Sequence, residues 1–334
     1  MNNDKKFKSI LMTGGTGFVG SHMIDFLLKA IPDTKIYAIK RQRSDIANVV
    51  HLLDDPRLEF IEADLLDQSS LMRAIKISNP TLVYHFAAQS APQASFSVPK
   101  QTLETNIIGT YNLLEALNIL RGGNIDPVII SVSSSEVYGN PLPSEVPIDE
   151  NNKIRAANPY SISKVGHDLL SQYFYNAFKM KIIITRLFSH EGARRGRDFA
   201  LSNFARQIAI AEKLNAEKFT IKVGNLESIR TYVHISDAIE AYYLAAIHGV
   251  AGQIYNIGGS NTLAVGEALE YMLNLSKLDR KIFRLQEDPN LIRPTDITLQ
   301  IPNYSKFQAL TGWAPKTTIK EVSEDILNYW RNKV

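Results

Sequence analysis

A glycine-rich turn near the start of the chain constrains the fold more than any other feature. Lys8 to Thr13 has the pattern of a buried strand, and the amphipathic helix that ends near Ala30 follows the motif G-x-x-G-x-x-G at Gly14 to Gly20. Glycines between a strand and a helix let the backbone approach a pyrophosphate, whose charge the helix N-terminus stabilises. We therefore expect a dinucleotide-binding turn. The alternative is a glycine turn that serves only helix-on-sheet packing.

The strand-to-helix alternation continues through the first half of the chain. Strand patterns recur at residues 35–40, 58–61, 81–86, 127–132 and 181–187, separated by helical patterns that include a long helix at 99–121. This alternation predicts an α/β fold with a Rossmann-type, doubly wound parallel sheet. We assign residues 1–187 to this domain and residues 188–334 to a smaller mixed α/β substrate domain, interleaved with the first at an approximate boundary.

The end of the second strand bears on the choice of dinucleotide. An NAD site usually places Asp or Glu there to hold the ribose 2′-hydroxyl, whereas this chain has Lys40, Arg41 and Arg43. Cations suit a 2′-phosphate, so we expect NADP; ordinary solvated loop charges are the alternative. Asp64 is expected to bond the adenine amine, to cap the next helix, or both. The full set of expected cofactor contacts is Gly14, Thr16, Gly17, Phe18, Val19, Gly20, Arg41, Arg43, Asp64, Leu65, Ala87, Ala88, Tyr160 and Lys164.

Four polar side chains are expected to form the catalytic group. Ser134 and Glu136 follow the apolar strand that ends at Val132, and Tyr160 and Lys164 lie four residues apart at the start of a helix. An ammonium one turn away favours the phenolate form of a Tyr, and a Ser hydroxyl can bond the same substrate oxygen. This set suits removal of a proton from an alcohol whose carbon loses hydride. A solvated helix face is the alternative for the Tyr–Lys pair, but the glycine turn argues against it.

Glu136 is an additional group, because plain alcohol oxidation needs no second base. Other polar residues at strand ends are candidates for substrate contacts, since ligand sites of parallel sheets lie at those ends. Arg230 and Arg293 are expected to reach one anionic ligand, and the cation-rich loop at 188–197 offers further counter-charge. The expected substrate contacts are Gln89, Ser90, Ser135, Ser189, Glu191, Arg195, Asn225, Arg230 and Arg293.

Composition excludes several classes of protein. The chain has no Cys, which rules out disulfides, thiolate catalysis and Cys-based zinc sites, and we expect no metal site. A net charge of +3 is too small to indicate nucleic-acid or membrane binding. No apolar run approaches the length of a bilayer span, and no signal-like segment begins the chain, so a cytoplasmic protein is expected.

With these motifs, the chain resembles the extended short-chain dehydrogenase/reductases over essentially its whole length. Within that superfamily it is most similar to the GDP-mannose 4,6-dehydratase family. The segments that carry this similarity are 87–90, 134–139, 190–196, 223–230 and 293–296. Ser134 stands where that family usually has Thr, and Ser189 stands where it usually has Asn before the His-Glu pair. The helix around Asn106 also resembles the sister family of GDP-4-keto-6-deoxy-mannose reductases.

The resemblance implies a GDP-hexose 4,6-dehydratase that uses NADP and acts on GDP-mannose or a close GDP-hexose. It also implies a homodimer paired through helices 99–121 and 160–178, or a homotetramer supported by the Lys40–Arg43 loop. An NADPH-dependent reductase of the 4-keto sugar, in which Glu136 has no essential task, is the first alternative. The second is a non-catalytic NADP-binding module, against which the complete Ser, Tyr and Lys set argues.

Overall fold

The computed structural model describes residues 7–123 and 125–334 of the chain, which contain thirteen strands and eleven α-helices. The strands are β1 (Ser9–Thr13), β2 (Lys35–Lys40), β3 (Leu58–Glu62), β4 (Leu82–His85), β5 (Val128–Val132), β6 (Lys181–Leu187), β7 (His190–Glu191), β8 (Phe219–Val223), β9 (Ile229–His234), β10 (Ile254–Ile257), β11 (Asn261–Ala264), β12 (Phe283–Glu287) and β13 (Leu299–Gln300). The helices are α1 (Phe18–Ala30), α2 (Gln68–Ser78), α3 (Pro92–Ser97), α4 (Pro99–Leu103), α5 (Gly109–Leu120), α6 (Pro159–Phe178), α7 (Ala200–Lys213), α8 (Ile235–His248), α9 (Val265–Asn274), α10 (Ser305–Thr311) and α11 (Ile319–Arg331).

A parallel seven-stranded sheet in the order β10-β6-β5-β4-β1-β2-β3 confirms the predicted fold class. The strand order reverses beside β1, which places the β1 and β4 carboxyl ends at the crevice where doubly wound sheets bind ligands. Apolar side chains cover both faces, because a parallel sheet is buried between helices. One face packs mainly against α1 and α8, and the other packs against α2, α5 and α6.

Later segments of the chain complete this sheet. Strand β10 lies beyond residue 187 and pairs with β6 along Ile254 to Ile257. Helix α8 and the aromatic pair Phe307 and Trp313 belong to the same core cluster as β1 and α1. The chain therefore leaves the large sheet after β6, builds part of the second unit, returns, and leaves again.

The second unit contains two small sheets and three helices. Strands β11, β9 and β13 pair in that order, with β7 also paired to β9, and β8 pairs with β12. Helices α7, α9 and α11 enclose a separate apolar core that includes Phe204, Leu269 and Ile326. This unit lies over the carboxyl ends of β5 and β6, where it can close a site.

The long helix predicted at 99–121 is interrupted. Helix α4 is followed by a π-helical turn at Glu104–Ile108, then by α5 and a 3₁₀ turn at Arg121–Gly123. The buried side chain of Asn106 in the π-turn donates to Ser163 Oγ at 2.8 Å and to the Gln89 carbonyl at 3.0 Å. These contacts give Asn106 a structural role at this position. Helix α3 was not predicted, because its six residues carry no clear apolar period.

His85 is a core histidine and belongs to a buried chain of hydrogen bonds. Its Nδ1 lies 2.8 Å from Thr13 Oγ1 and its Nε2 lies 3.0 Å from Thr110 Oγ1. Thr110 also contacts His167 Nδ1 at 2.9 Å, and His167 Nε2 contacts Ser131 Oγ at 2.7 Å. Burial lowers the pKa of both His rings, so both are neutral. This chain of hydrogen bonds links strands β1, β4 and β5 to helices α5 and α6 beneath the glycine turn.

In the described ranges, no helix is long and apolar enough to cross a membrane.

Candidate active site

A cavity of about 1070 Å³ opens where the second unit covers the carboxyl ends of β5 and β6. Its volume suits a ligand at the upper end of the usual small-molecule range. Most of the side chains expected to act on a substrate meet there. The predicted residues that line the cavity are Ser90, Ser134, Ser135, Glu136, Tyr160, Ser189, Glu191, Arg195, Asn225, Arg230 and Arg293.

Ser134 and Glu136 enter the cavity from a short turn that follows β5. Ser134 begins a 3₁₀ helix at Ser135–Tyr138, and its Oγ accepts a hydrogen bond from the Glu136 amide at 3.2 Å. The Glu136 carboxylate accepts one bond from Asn158 Nδ2 at 3.0 Å, and no ion pair involves it within the described part of the chain. Glu136 is thus held in place while remaining available to a ligand.

Tyr160 is the buried member of the predicted catalytic group. Pro159 starts α6 and Asn158 caps it by accepting from the Ser161 amide, which fixes Tyr160 in the first turn. Burial and the negative charge of Glu136 raise the pKa of the phenol, whereas a hydrogen bond from Ser134 and the positive charge of Arg195 lower it. The phenol is therefore within the electrostatic range of all three groups.

Lys164 lies one turn further along α6, but its ammonium is directed at the sheet. Its Nζ donates to the Val132 carbonyl at 2.8 Å. Burial lowers the pKa of Lys164 to about 8, and the carboxylate of Asp168 partly opposes that change. Arg195 is the cation whose charge lowers the Tyr160 pKa here. Stabilisation of the phenolate by Lys164 remains a prediction.

The glycine turn has the cradle shape that a pyrophosphate requires. Gly14 has φ +71°, and a Cβ there would lie 2.8 Å from the Ala87 amide nitrogen. A Cβ on Gly20 would lie 2.3 Å from the Gly14 carbonyl oxygen, so α1 can approach β1 only because this residue is glycine. Gly17 precedes the first helical residues Phe18 and Val19, whose amides start α1. The turn fits a dinucleotide.

The remaining cofactor candidates are distributed around this turn. Arg41 and Arg43 are exposed after β2, and the Thr16 carbonyl accepts from Asn48 Nδ2 at 3.2 Å. Ala88 follows Ala87 at the partly buried end of β4. The side chain of Leu65 is buried, and a Cβ on the facing Gly109 would lie 2.8 Å from it.

The capping role expected for Asp64 was wrong. Asp67 caps α2, because its carboxylate accepts from the Ser69 amide at 3.0 Å. The Asp64 carboxylate instead accepts from the Leu66 amide at 2.9 Å within the preceding turn. Its predicted contact with adenine is a separate matter and stays a prediction.

Gln89 is not among the residues that line the cavity. Its amide donates to Asn106 Oδ1 at 2.8 Å, and its Nε2 donates to the Ala91 carbonyl at 3.2 Å. Gln93 in α3 lines the cavity and donates to the Asn290 carbonyl at 3.0 Å. This contact joins the two units across the cavity. Sequence reasoning missed Gln93 because it missed the helix that carries it.

Arg230, Arg293 and Asn225 converge on one carboxylate that sequence reasoning did not single out as their partner. Asp296 lies 3.7 Å from the Arg230 guanidinium and 3.5 Å from that of Arg293. Asn225 Nδ2 donates to the same carboxylate at 2.9 Å. The two arginines were expected to share an anionic ligand, and here they share Asp296. This grouping gives one wall of the cavity a dense set of hydrogen-bond donors.

The loop that carries Arg195 is fastened from two sides. The Ala193 amide donates to Asp325 in α11 at 2.7 Å, and His22 Nε2 in α1 donates to the Ala193 carbonyl at 2.8 Å. Arg194 has φ +69°, an uncommon conformation for a side chain of its size, and pairs with Asp25 at 2.7 Å. We call residues 192–195 the clamped loop. His22 and Asp325 gave no sequence signal, because their roles depend on contacts between distant parts of the chain.

The fold and the site together define an extended short-chain dehydrogenase/reductase. The glycine turn follows β1, and Ser134 after β5 meets Tyr160 in α6, with Lys164 one turn further on. The family model described as GDP-mannose 4,6 dehydratase matches residues 11–326. The chain belongs to that family.

Several known proteins are similar to this chain along its whole length. GDP-mannose 4,6 dehydratase of Drosophila melanogaster is 29% identical, over 97% of this chain and 86% of the relative. GDP-6-deoxy-D-mannose reductase of Pseudomonas aeruginosa is 26% identical, over 97% of this chain and 98% of the relative. The structure of RMD from Pseudomonas aeruginosa complexed with NADPH superposes with a TM-score of 0.80 and 25% identity, over 98% of this chain and all of that one.

The depressed pKa of Lys164 predicts a specific pH dependence of stability. The folded value is about 8, against an ordinary value of 10.5. Between these pH values the unfolded chain binds more protons, so the contribution of Lys164 to the free energy of unfolding should rise with pH, by up to about 3 kcal/mol. Urea unfolding of the wild type and of Lys164→Met, compared from pH 8 to pH 10, measures it.

The matched control is Lys29→Met, which removes a lysine from an exposed position of α1. The difference in the free energy of unfolding between the wild type and Lys164→Met should change with pH. The corresponding difference for Lys29→Met should change much less. Equal slopes for the two variants would contradict a depressed Lys164 pKa.

Proposed function

We propose that the protein is a nucleotide-sugar 4,6-dehydratase that converts GDP-mannose, or a close GDP-hexose, to the 4-keto-6-deoxy sugar. The observation that carries the proposal is the position of Glu136. Its carboxylate lines the same cavity as Tyr160 and Ser134, acts electrostatically on the phenol, and is bonded by Asn158 without an ion pair in the described residues. Family membership and the dehydratase of Drosophila melanogaster support the same assignment.

The cofactor we propose is NADP. Gly14, Gly17 and Gly20 would hold the pyrophosphate, and Arg41 with Arg43 would hold the 2′-phosphate. When bound, the nicotinamide would supply hydride chemistry, accepting hydride from sugar carbon C4 and returning it to C6. The NADPH complex of the Pseudomonas aeruginosa structure supports this choice.

The residues of the chain divide the proton transfers between them. Tyr160, with Ser134 bonding the same oxygen, takes the proton of the C4 hydroxyl as that carbon is oxidised. The resulting ketone acidifies the C5 hydrogen, and Glu136 removes it. Glu136 then protonates the C6 hydroxyl, which leaves as water. The proton that Glu136 takes from C5 is the one that leaves with the C6 hydroxyl as water. The proton that Tyr160 took from the C4 hydroxyl then passes to C5 as C6 receives hydride, so the reaction has no net change in protons or electrons.

A reductase of the 4-keto sugar is the second candidate. The reductase relative from Pseudomonas aeruginosa covers the chain as fully as the dehydratase does, which favours keeping it. In that reaction Tyr160 gives a proton to the C4 oxygen, and Glu136 has no essential task. The two reactions therefore differ in what they require of Glu136.

One assay separates these candidates. The purified protein is given GDP-mannose with NADP far below the sugar concentration, and loss of water from the nucleotide sugar is followed by mass spectrometry. Many turnovers per NADP are expected, because the dehydratase reaction has no net redox change. Stoichiometric NADPH consumption with the 4-keto sugar, and no reaction with GDP-mannose, would instead identify a reductase. Inactivity on both would favour a non-catalytic NADP-binding module or a different sugar.

The variant Glu136→Gln should bind NADP normally and still oxidise C4, but should release water at least about 100-fold more slowly, because the amide cannot accept the C5 proton. Quenched single turnovers analysed by mass spectrometry measure both steps. Glu240→Gln, at a surface ion pair with Lys316, is the control and should behave as the wild type. Unchanged water release in Glu136→Gln would remove this residue from the mechanism.

The preference for NADP is tested at the loop after β2. Replacing both Arg41 and Arg43 by Ala should weaken NADP binding about 10- to 100-fold, because each loses a charge-assisted contact to phosphate. Binding of NAD to the same variant is the internal control and should change little. Calorimetric titration of both dinucleotides gives the two constants. Equal weakening of NAD and NADP would assign the arginines a general structural role.

We also propose a homodimer that pairs through α5 and α6, with a tetramer through the loop after β2 as the larger possibility. Exposed apolar side chains on these helices and the adjoining π-turn support it: Ile108, Tyr111, Ile119, Ile162, Leu169 and Tyr173. Leu169→Glu should shift the protein to monomers in sedimentation velocity, because a charge would be buried at the contact. Leu214→Glu, at a more exposed site outside this surface, is the control. A monomeric wild type would refute the dimer.

A further inference from the structure

Two side chains of opposite charge face each other in the cavity without a hydrogen bond between them. The Glu191 and Arg195 side chains are 7% and 12% exposed, and Glu191 Oε2 lies 3.8 Å from Arg195 Nε. That separation is too long for a hydrogen bond. Neither atom has a hydrogen-bond partner in the described part of the chain. Unsatisfied buried polar atoms are costly, and a pair of them lining a cavity indicates a ligand group that completes them.

The gap between these atoms is maintained by the surrounding structure. Glu191 ends strand β7, which pairs with β9 opposite His234. The Arg195 guanidinium lies 3.5 Å from the ring centroid of Phe199 and 4.9 Å from that of Phe18, and the clamped loop fixes its backbone. Stacking on two rings restrains the guanidinium where it is. A direct hydrogen bond to Glu191 would require the Arg195 guanidinium to shift relative to these rings.

A hydroxyl group matches the chemistry of the gap. An oxygen about 2.8 Å from both atoms can accept a hydrogen bond from Arg195 Nε–H and donate its own proton to Glu191 Oε2. A phosphate would meet the Glu191 carboxyl, and an ammonium would meet Arg195.

We infer that Glu191 and Arg195 together bind the sugar hydroxyl adjacent to the oxidised carbon, which is the C3 hydroxyl of a hexose oxidised at C4. Arg195 is the group that relates the pair to C4, because its charge acts on the Tyr160 phenol in the same cavity. C5 carries no hydroxyl in a pyranose, so C3 is the neighbouring carbon that offers one. The inference rests on the proposed function and identifies the residues that select the sugar.

Binding measurements test this inference without requiring turnover. Tyr160→Phe protein saturated with NADP is titrated calorimetrically with GDP-mannose and with its 3-deoxy and 2-deoxy analogues. The 3-deoxy analogue should bind about 10- to 100-fold more weakly than GDP-mannose, because the two buried groups lose their shared partner. The 2-deoxy analogue should lose less affinity, relative to GDP-mannose, than the 3-deoxy analogue does. Equal affinity for GDP-mannose and the 3-deoxy analogue would overturn the inference.

Variants of Glu191 then test which residue discriminates. When Glu191→Ala is added to Tyr160→Phe, the affinity for GDP-mannose should fall to within about twofold of the affinity for the 3-deoxy analogue. Glu191→Gln keeps an acceptor oxygen, so it should restore part of the difference in affinity between the two sugars. Glu324→Gln is a matched control, because Glu324 also lies four residues from a cation, Lys320, at 3.8 Å, but at the surface. If Glu191→Ala weakened both sugars equally and kept the difference between them, the residue would be structural and the inference would fail.

This test also separates the inference from the proposed reaction. Discrimination at C3 that depends on Glu191, together with a wild type that releases no water from GDP-mannose, would reject the dehydratase assignment and retain the hydroxyl site. Water release from GDP-mannose without discrimination at C3 would support the dehydratase assignment and reject the hydroxyl site. Failure of every nucleotide sugar to bind would overturn both.

Discussion

Burial of the Tyr160 phenol is the constraint on which the rest of the site depends. A phenol removed from water resists ionisation, and the nearby Glu136 carboxylate increases that resistance. The chain offsets this with the Ser134 hydroxyl and the Arg195 guanidinium, which come from two different units of the fold. A buried base is useful only if such groups are already in place, because burial reduces the stabilisation that solvent gives to a charge. The second unit therefore contributes to the ionisation of the phenol as well as covering it.

Three of the arginines that line the cavity lie near an acid. Arg230 and Arg293 lie against Asp296, and Arg195 lies near Glu191. The distances of 3.5 to 3.8 Å keep these pairs loose, so polar groups of an incoming ligand can compete for the arginines. Tight ion pairs would lower the free-energy cost of burying these charges, but they would also have to be broken when a ligand binds.

Local patterns predicted the parts of the fold that local physics determines. The strands of the large sheet and the glycine turn carry strong periodic and steric signals, and so does the Pro159 start of α6. Asp64 was predicted as a candidate cap of α2, but Asp67 caps that helix. Two acids three residues apart are equivalent candidates until the helix start is known. Helix α3 and the π-turn around Asn106 escaped prediction because long-range hydrogen bonds determine them. Asp325 and His22 escaped for the same reason.

The fastening of the clamped loop by α11 has a consequence for biosynthesis. Asp325 belongs to the last helix of the described chain, and its carboxylate also contacts His234 at the start of α8. The loop that presents Arg195 to the phenol thus gains one of its anchors only after every other described element has been made. Before α11 is made, α1 can hold the loop through His22 and Asp25, but the Ala193 amide lacks its carboxylate partner. Complete fastening of this centre therefore requires α11 to be in place.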